Sequence, residues 1–308
     1  MSFSITVDGL KYNSGTVLGR GSFGKVFALV AEGVGGCGAD KEDACELCIK
    51  VPETHRASVK QLQYELRIYR SLQSKSKLQG FAIPLCYGMY TIDNSGMQGL
   101  VLEKINGQTL EEIKNDLPLG CVDAKTLMAI AIRLIESISS LHASHICHRD
   151  IKPSNVILAG RRLVLLDFGL CKKVVDVNKR HIPQTDKRGL TGTARFCSVF
   201  AHEKSETSYR CDVASCLYLL AYLHLGRLPW QGIRLPKSMS AKNKVQRTQA
   251  RNRMIYESKN KSGIPALFST KDTVSLREIG RQAQSLGFGE MPPYEHWIQK
   301  LSDAFLSV

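Results

Sequence analysis

The sequence predicts an α+β chain with two lobes. A small β-rich lobe with one main helix is expected over residues 1–104, and a larger, mostly helical lobe over 105–308. Three observations carry this reading. The chain has 308 residues, against a prior of about 150 per domain. The first hundred residues hold short runs of alternating or β-branched apolar residues. After Gly107 the apolar residues recur at the helical period instead.

The first-lobe runs KYNSGTVLG, KVFALVAE, CELCIKV and GLVLEKI read as strands. Between the last two lies one helical stretch, Ser58 to Leu72. There Val59, Leu62, Leu66 and Tyr69 share a face. Glu32 to Asp43 is Gly-rich and charged, and reads as a hairpin loop. In the second lobe Leu127, Ile130, Ala131, Leu134, Ile138 and Leu141 form a clean helical stripe. Two short strands follow at 156–158 and 163–167. Asp212 to Leu225 is apolar nearly all round, so it reads as a buried helix. Residues 237–253 are polar and strongly basic.

Composition narrows the classes. With 43% apolar and 23% charged residues, a wholly disordered chain is excluded. Lys and Arg exceed Asp and Glu, 42 − 28 = +14. That surplus favours anionic partners: phosphate, acidic peptide, nucleic acid or acidic lipid. The most apolar run, Val213 to Leu223, falls short of the roughly 20 residues of a membrane span. No leader pattern is read at the start of the chain. An intracellular protein, cytoplasmic and/or nuclear, with reduced thiols is therefore expected from the ten cysteines. Cys45 and Cys48 form one CxxC, without the second pair that a zinc ribbon needs.

Chemistry concentrates at four places. Gly19-Arg20-Gly21-Ser22-Phe23-Gly24-Lys25-Val26 is GxGxxGxV between two strand-like runs, with Leu18 just before it. Glycines let backbone N–H groups approach phosphates closely. Lys50 ends an apolar strand and Glu65 sits on the following helix, with Glu53 as a competing partner for the ammonium. His148-Arg149-Asp150-Ile151-Lys152-Pro153-Ser154-Asn155 follows the striped helix. Asp167-Phe168-Gly169 follows the second short strand. Gly-rich loop, strand Lys, helix Glu, HRDxxxxN and DFG, in this order, resemble the protein-kinase signature.

That resemblance implies a bilobal protein-kinase fold that uses ATP and Mg²⁺. Asp150 would orient a substrate hydroxyl and take its proton, and Lys152 would face the γ-phosphate. Asn155 and Asp167 would hold the metal, and Lys50, paired with Glu65, would hold the α- and β-phosphates. DIKPSN is similar to serine/threonine rather than tyrosine kinases. A catalytically silent scaffold binding ATP or partner proteins is the alternative of a different class. It usually loses one of Lys50, Asp150 or Asp167, and all are present. No recognition motif supports a specific nucleic-acid binder.

Within the kinases the chain resembles the casein kinase 1 family. The carrying segments are HIP at 181–183, LTGTARF at 190–196, LGRLPWQG at 225–232 and YELRIYRSL at 64–72. The family's missing A-P-E-like tripeptide is matched by CSVF after Phe196. The resemblance makes LVLEKINGQTLEEI its hinge, with Leu102 as gatekeeper and Glu103 and Ile105 against the adenine. It makes Asp212 a brace for the catalytic-loop backbone, and Thr193 a hydrogen-bond partner near Asp150 and Lys152. It implies acidic or pre-phosphorylated protein substrates, bound through Arg195 and Arg188. A monomer is expected, with no specific nucleic acid and no membrane partner. The basic stretch Lys242, Lys244, Arg247, Arg251 and Arg253 reads as a solvated face, as more of the same surface or as a nuclear signal. The chain departs from the family at Ala214, at CSVF and over 233–260.

Overall fold

The computed structural model describes residues 2–21, 24–33, 46–53, 57–74, 82–186, 189–235 and 243–307. Ser22, Arg188 and Lys242, most of the Gly-rich insert, and Cys45 of the CxxC lie outside the described residues. The chain divides into two compact units, Met1–Gly107 with Ala159–Gly169, and Gln108–Leu158 with Leu170–Val308. The sequence reading sets the boundary at 104. The structure sets it after Gly107 and returns the segment around Asp167 to the first unit.

The first unit contains β1 (Ser4–Val7), β2 (Leu10–Gly21), β3 (Gly24–Ala31), β4 (Leu47–Val51), α1 (Ala57–Gln73), β5 (Cys86–Thr91) and β6 (Gln98–Glu103). Its strands form one antiparallel sheet in the order β1-β2-β3-β4-β6-β5. Side chains alternate across a strand. Leu47, Ile49 and Val51 of β4 therefore enter one apolar cluster with Ile5, Phe27, Leu29 and Val101. Lys50 must face the other way. Register places Val26 opposite Lys50, and Leu102 opposite Cys48. Val26, Lys50 and Leu102 thus share the face away from that cluster. On α1, Leu62, Glu65, Leu66, Tyr69 and Leu72 are buried along one helical face. Glu65 is an acid on an apolar stripe.

The second unit begins with β7 (Gln108–Thr109), α2 (Leu110–Asp116), α3 (Ala124–Ala143), β8 (Ile146–Cys147) and β9 (Val156–Ala159). β10 (Arg162–Leu165) belongs to the first unit. β11 (Lys172–Lys173), α4 (Val199–His202), α5 (Tyr209–Leu225), α6 (Lys244–Ser262), α7 (Val274–Ser285) and α8 (Tyr294–Ser307) complete the second. Thr109 and Glu112 form a reciprocal capping box on α2, and the Asp123 carboxylate caps α3 through Thr126 N. α3 packs against α5 and α8. α3 is also long and apolar enough to cross a membrane. However, 56% of its most apolar window is buried in the protein, so packing accounts for it. α5 is buried nearly all round and stops at Gly226, where φ of 72° suits a glycine. Each fully buried Leu or Ile here contributes about 1.5–3 kcal/mol.

Candidate active site

In the first unit, the Lys50 ammonium lies 2.9 Å from Glu65 Oε2, 3.2 Å from Glu65 Oε1 and 2.7 Å from Asp167 Oδ1. Lys50 is 7% exposed and Glu65 is fully buried. Burial works against the ammonium, but the two carboxylates override it and hold Lys50 well above the ordinary lysine range. Burial pushes the Glu65 carboxyl up, and the Lys50 ammonium opposes that shift. Glu53, the competing partner, instead sits 3.8 Å from Lys25. Two carboxylates converge on the one ammonium, and Asp167 keeps 34% of its side chain exposed, so a cation can reach its carboxylate from solvent.

The backbone here is shaped for the task. Asp167 adopts φ of 61°, an uncommon conformation for a residue with a side chain. Phe168 anchors it, buried edge-on against the Tyr69 ring at 5.0 Å. Gln61 on α1 donates to the Gly169 carbonyl. A Cβ on Gly169 would lie 3.2 Å from Glu65 Oε2 and 3.3 Å from Asp167 Oδ1, crowding both carboxylates.

The glycines of GxGxxGxV divide by role. A Cβ on Gly19 or Gly21 would meet nothing within 4 Å, so their backbone is open to an approaching group. Gly24 has φ of 145°, and a Cβ there would lie 2.1 Å from the Val51 carbonyl. Gly24 is therefore a packing requirement between β3 and β4. Leu18 is exposed, and Val26 and Ile105 are half-buried. Glu103 is tied to Leu85: its N–H donates to Leu85 O at 2.8 Å, and its Oε2 accepts from Leu85 N at 2.9 Å.

In the second unit, Asp150 Oδ1 accepts from Thr193 N at 2.8 Å and from Thr193 Oγ1 at 2.7 Å. Lys152 Nζ donates to Asp150 Oδ2 at 2.7 Å and approaches Thr193 Oγ1 at 3.3 Å. Asn155 Nδ2 donates to the Asp150 carbonyl at 2.9 Å, which presents its amide oxygen as the remaining ligand atom. Gly192 lets the Thr193 segment come this close, because a Cβ there would lie 2.3 Å from the Arg149 carbonyl.

The catalytic-loop backbone is braced from α5. The Asp212 carboxylate is fully buried. It accepts from His148 N at 2.6 Å, Arg149 N at 2.9 Å and His142 Nε2 at 3.0 Å. Burial alone would push Asp212 up, but the donors around it, His142 foremost, hold it below the usual carboxylate range. A carboxylate only accepts, so His142 carries its proton on Nε2. Its Nδ1 then accepts from Tyr294 O–H at 2.5 Å. His142, Cys147 and Asp212 bring their ligand atoms within 4.8 Å of one another. Both ring nitrogens are occupied and burial pushes the Cys147 thiol far up, so the cluster is a hydrogen-bonded brace.

Arg195 lines a cavity of about 490 Å³ with Lys152, Thr193, Trp230, Gln231 and Arg251. Its guanidinium lies 5.7 Å from the Phe196 ring and 5.9 Å from the Tyr222 ring. Among the described residues no ion pair joins it to a carboxylate. The sequence reading missed His142, Trp230, Lys259 and Tyr294, all of which support these groups.

A model of the protein kinase domain matches residues 12–283. The chain belongs to the protein kinase family. That membership accords with its mixed sheet and helix content, and it supports a phosphotransferase that uses ATP and Mg²⁺ and acts on protein.

Proposed function

We propose that the chain is an active serine/threonine protein kinase of the casein kinase 1 type, with acidic or phospho-primed protein substrates. The observation that carries the activity is the intact Lys50–Glu65–Asp167 cluster, alongside Asp150 held by Thr193 and Lys152. A silent relative usually lacks one of these groups.

Bound Mg-ATP would supply the transferable γ-phosphoryl group and the divalent charge that offsets it. Asp167 and Asn155 are the residues that would hold the metal. Their chemistry fits: a partly exposed carboxylate, and an amide oxygen oriented by its own N–H₂. Lys50 is kept charged for phosphate oxygens, and Gly19 and Gly21 present open backbone. Leu102 and Val26 give the face beside Lys50 an apolar character suited to a base. Asp150 is fixed to accept the proton of a substrate hydroxyl. Lys152, bonded to Asp150, adds positive charge where the transferred group becomes most negative.

Substrate choice rests on Arg195. Among the described residues no carboxylate is paired with this guanidinium, and the cavity it shares with Lys152, Arg251 and one acid, Glu111, matches a phosphate or a run of acidic side chains. The test is a peptide panel: a neutral serine peptide, an acidic one, and one with phosphoserine upstream of the acceptor. Arg195→Ala should lower kcat/KM at least tenfold on the acidic and primed peptides and less than threefold on the neutral one. Equal losses on all three would refute the anion-site reading.

A further inference from the structure

Helix α6 is polar and basic, yet Ile255 and Lys259 are its buried residues. Lys259 is 1% exposed. An ammonium has three N–H donors and accepts nothing. The structure supplies two carbonyl acceptors, Ala194 O at 2.8 Å and Cys197 O at 2.5 Å, and places His202 Nε2 at 3.3 Å. The rings of Tyr218 and Trp230 lie 4.9 and 5.3 Å from the same nitrogen, and aromatic faces attract a cation. Among the described residues no carboxylate is paired with it.

Such a site is expensive. Burial penalises an ammonium without a counter-ion and lowers Lys259 to about 8, with Cys197 opposing. Burial and the adjacent Lys259 charge lower His202 to about 4. The imidazole is therefore neutral at physiological pH, and its Nε2 either accepts from the ammonium or donates to the Ala194 carbonyl, each 3.3 Å away. An apolar residue in this place would avoid the cost but would strip the Cys197 carbonyl of the ammonium and leave the Ala194 carbonyl with only His202 Nε2 and Cys197 Sγ nearby.

Those two carbonyls flank Arg195 and Phe196. Trp230 Nε1 takes the Arg195 carbonyl at 2.8 Å. Phe196 N and Cys197 N both donate to Thr193 O at 2.9 Å. The carbonyls of Thr193, Ala194, Arg195 and Cys197 are thus all engaged, and two of them meet the one ammonium. One end of this turn holds Asp150 through Thr193 N and Oγ1. Its middle carries Arg195 into the cavity. Ser198, the next residue, caps α4, and α4 carries His202 back to the ammonium.

We propose that Lys259 is a positioning residue whose ammonium locks the Thr193–Cys197 turn, and so sets how a protein substrate lies against Asp150 and Arg195. The turn has no continuous ladder of its own, since its bonds run to α6, to Trp230 and within itself. One side chain on α6 therefore controls both the placement of Asp150's partner and the placement of the anion-binding arginine. The substrate half of this inference rests on the kinase reading above. The locking half does not.

The test is Lys259→Met, which keeps the aliphatic length and removes all three donors. Amide hydrogen exchange at Phe196 and Cys197 should accelerate at least tenfold, while the amides of α3 and α5 keep their wild-type rates. KM for the phospho-primed peptide should rise at least tenfold, with the Kd for Mg-ATP within twofold of wild type. Unchanged exchange at Phe196 and Cys197, or equal acceleration throughout the second unit, would overturn the locking role. An unchanged peptide KM would overturn the substrate role. Lys259→Gln keeps two donors and should lie between wild type and Lys259→Met in both readouts. If Lys259→Met does not fold, Lys259→Gln decides: a peptide KM raised at least threefold at constant Mg-ATP Kd supports the proposal, and an unchanged one refutes it. A wild-type chain that binds Mg-ATP yet transfers no phosphate would refute the kinase reading, and the exchange rates would still decide the lock.

Discussion

Replacing Asp212 by Asn changes one oxygen to nitrogen in a site where three donors converge on a carboxylate. His148 N, Arg149 N and His142 Nε2 all lie within 3.0 Å of its oxygens. Asparagine keeps one acceptor oxygen and turns an N–H₂ group toward donors that have nothing to accept it. With its oxygen at the Oδ2 position the amide keeps His148 N and His142 Nε2 and loses Arg149 N, so at least one of the three bonds is lost. Hydrogen bonds to a charged group contribute about 1.5–3 kcal/mol each, so the loss of the Arg149 bond amounts to about 1.5–3 kcal/mol. Arg149 adds to it. Its φ of 71° costs a residue with a side chain roughly 1–2 kcal/mol, and Asp212 is what holds its N–H in place. Total stability of a domain is only about 5–15 kcal/mol, so the variant should be visibly compromised. Urea unfolding should show a lower midpoint at an unchanged slope, and kcat should fall because Asp150 follows Arg149 directly. A loss below about 1 kcal/mol would refute the claim that Asp212 braces the loop.

Lys50→Met should abolish transfer from Mg-ATP and destabilise the first unit by about 3–5 kcal/mol, since buried Glu65 is left with no cation. A Lys50→Met/Glu65→Met double variant should recover much of that stability but no activity, as read by urea unfolding and a transfer assay. His202 makes stability depend on pH. Its folded value of about 4 lies below the ordinary 6.5, so the unfolded chain binds the proton more readily. The stabilisation is complete above about pH 6.5 and is lost as pH falls from there toward 4. Lys259 is the cation that faces it from α6, the Ala194 carbonyl contacts the same nitrogen, and Glu203 follows it in the chain. His202→Gln should flatten thermal stability across that window; an unchanged pH dependence would contradict the assignment.

The groups that carry chemistry were legible in the sequence because their spacing is rigid and their residue types are few. Glu65 could be chosen over Glu53 in principle, since it falls on the apolar face of α1 with Leu62, Leu66 and Tyr69. The helices around Leu127–Leu141 and Asp212–Leu225 announced themselves by periodicity. Other elements did not. β1 is only four residues long, and β5 is broken by Gly88 at φ of 127°. α8 starts behind a Pro-Pro pair, and its stripe of Tyr294, Trp297, Ile298, Leu301 and Phe305 was legible but not read. Lys259 is indistinguishable in sequence from the solvated basic residues around it. Its burial depends on α4, on α5 and on a tryptophan far away in the chain. Gly24 was legible as part of a phosphate-binding motif, yet the structure also makes it a contact with Val51 that no other residue could occupy.

The central claim is phosphoryl transfer by these residues. Its most direct test is incubation of the full chain with labelled Mg-ATP and the phospho-primed serine peptide, beside Asp167→Asn. Asparagine there keeps the shape and removes the charge expected to hold the metal. The wild-type chain should label the serine, and Asp167→Asn should lose at least a hundredfold in rate while its unfolding midpoint stays near wild type. Labelling by Asp167→Asn at the wild-type rate, or no labelling by a wild-type chain that binds Mg-ATP, would contradict the account.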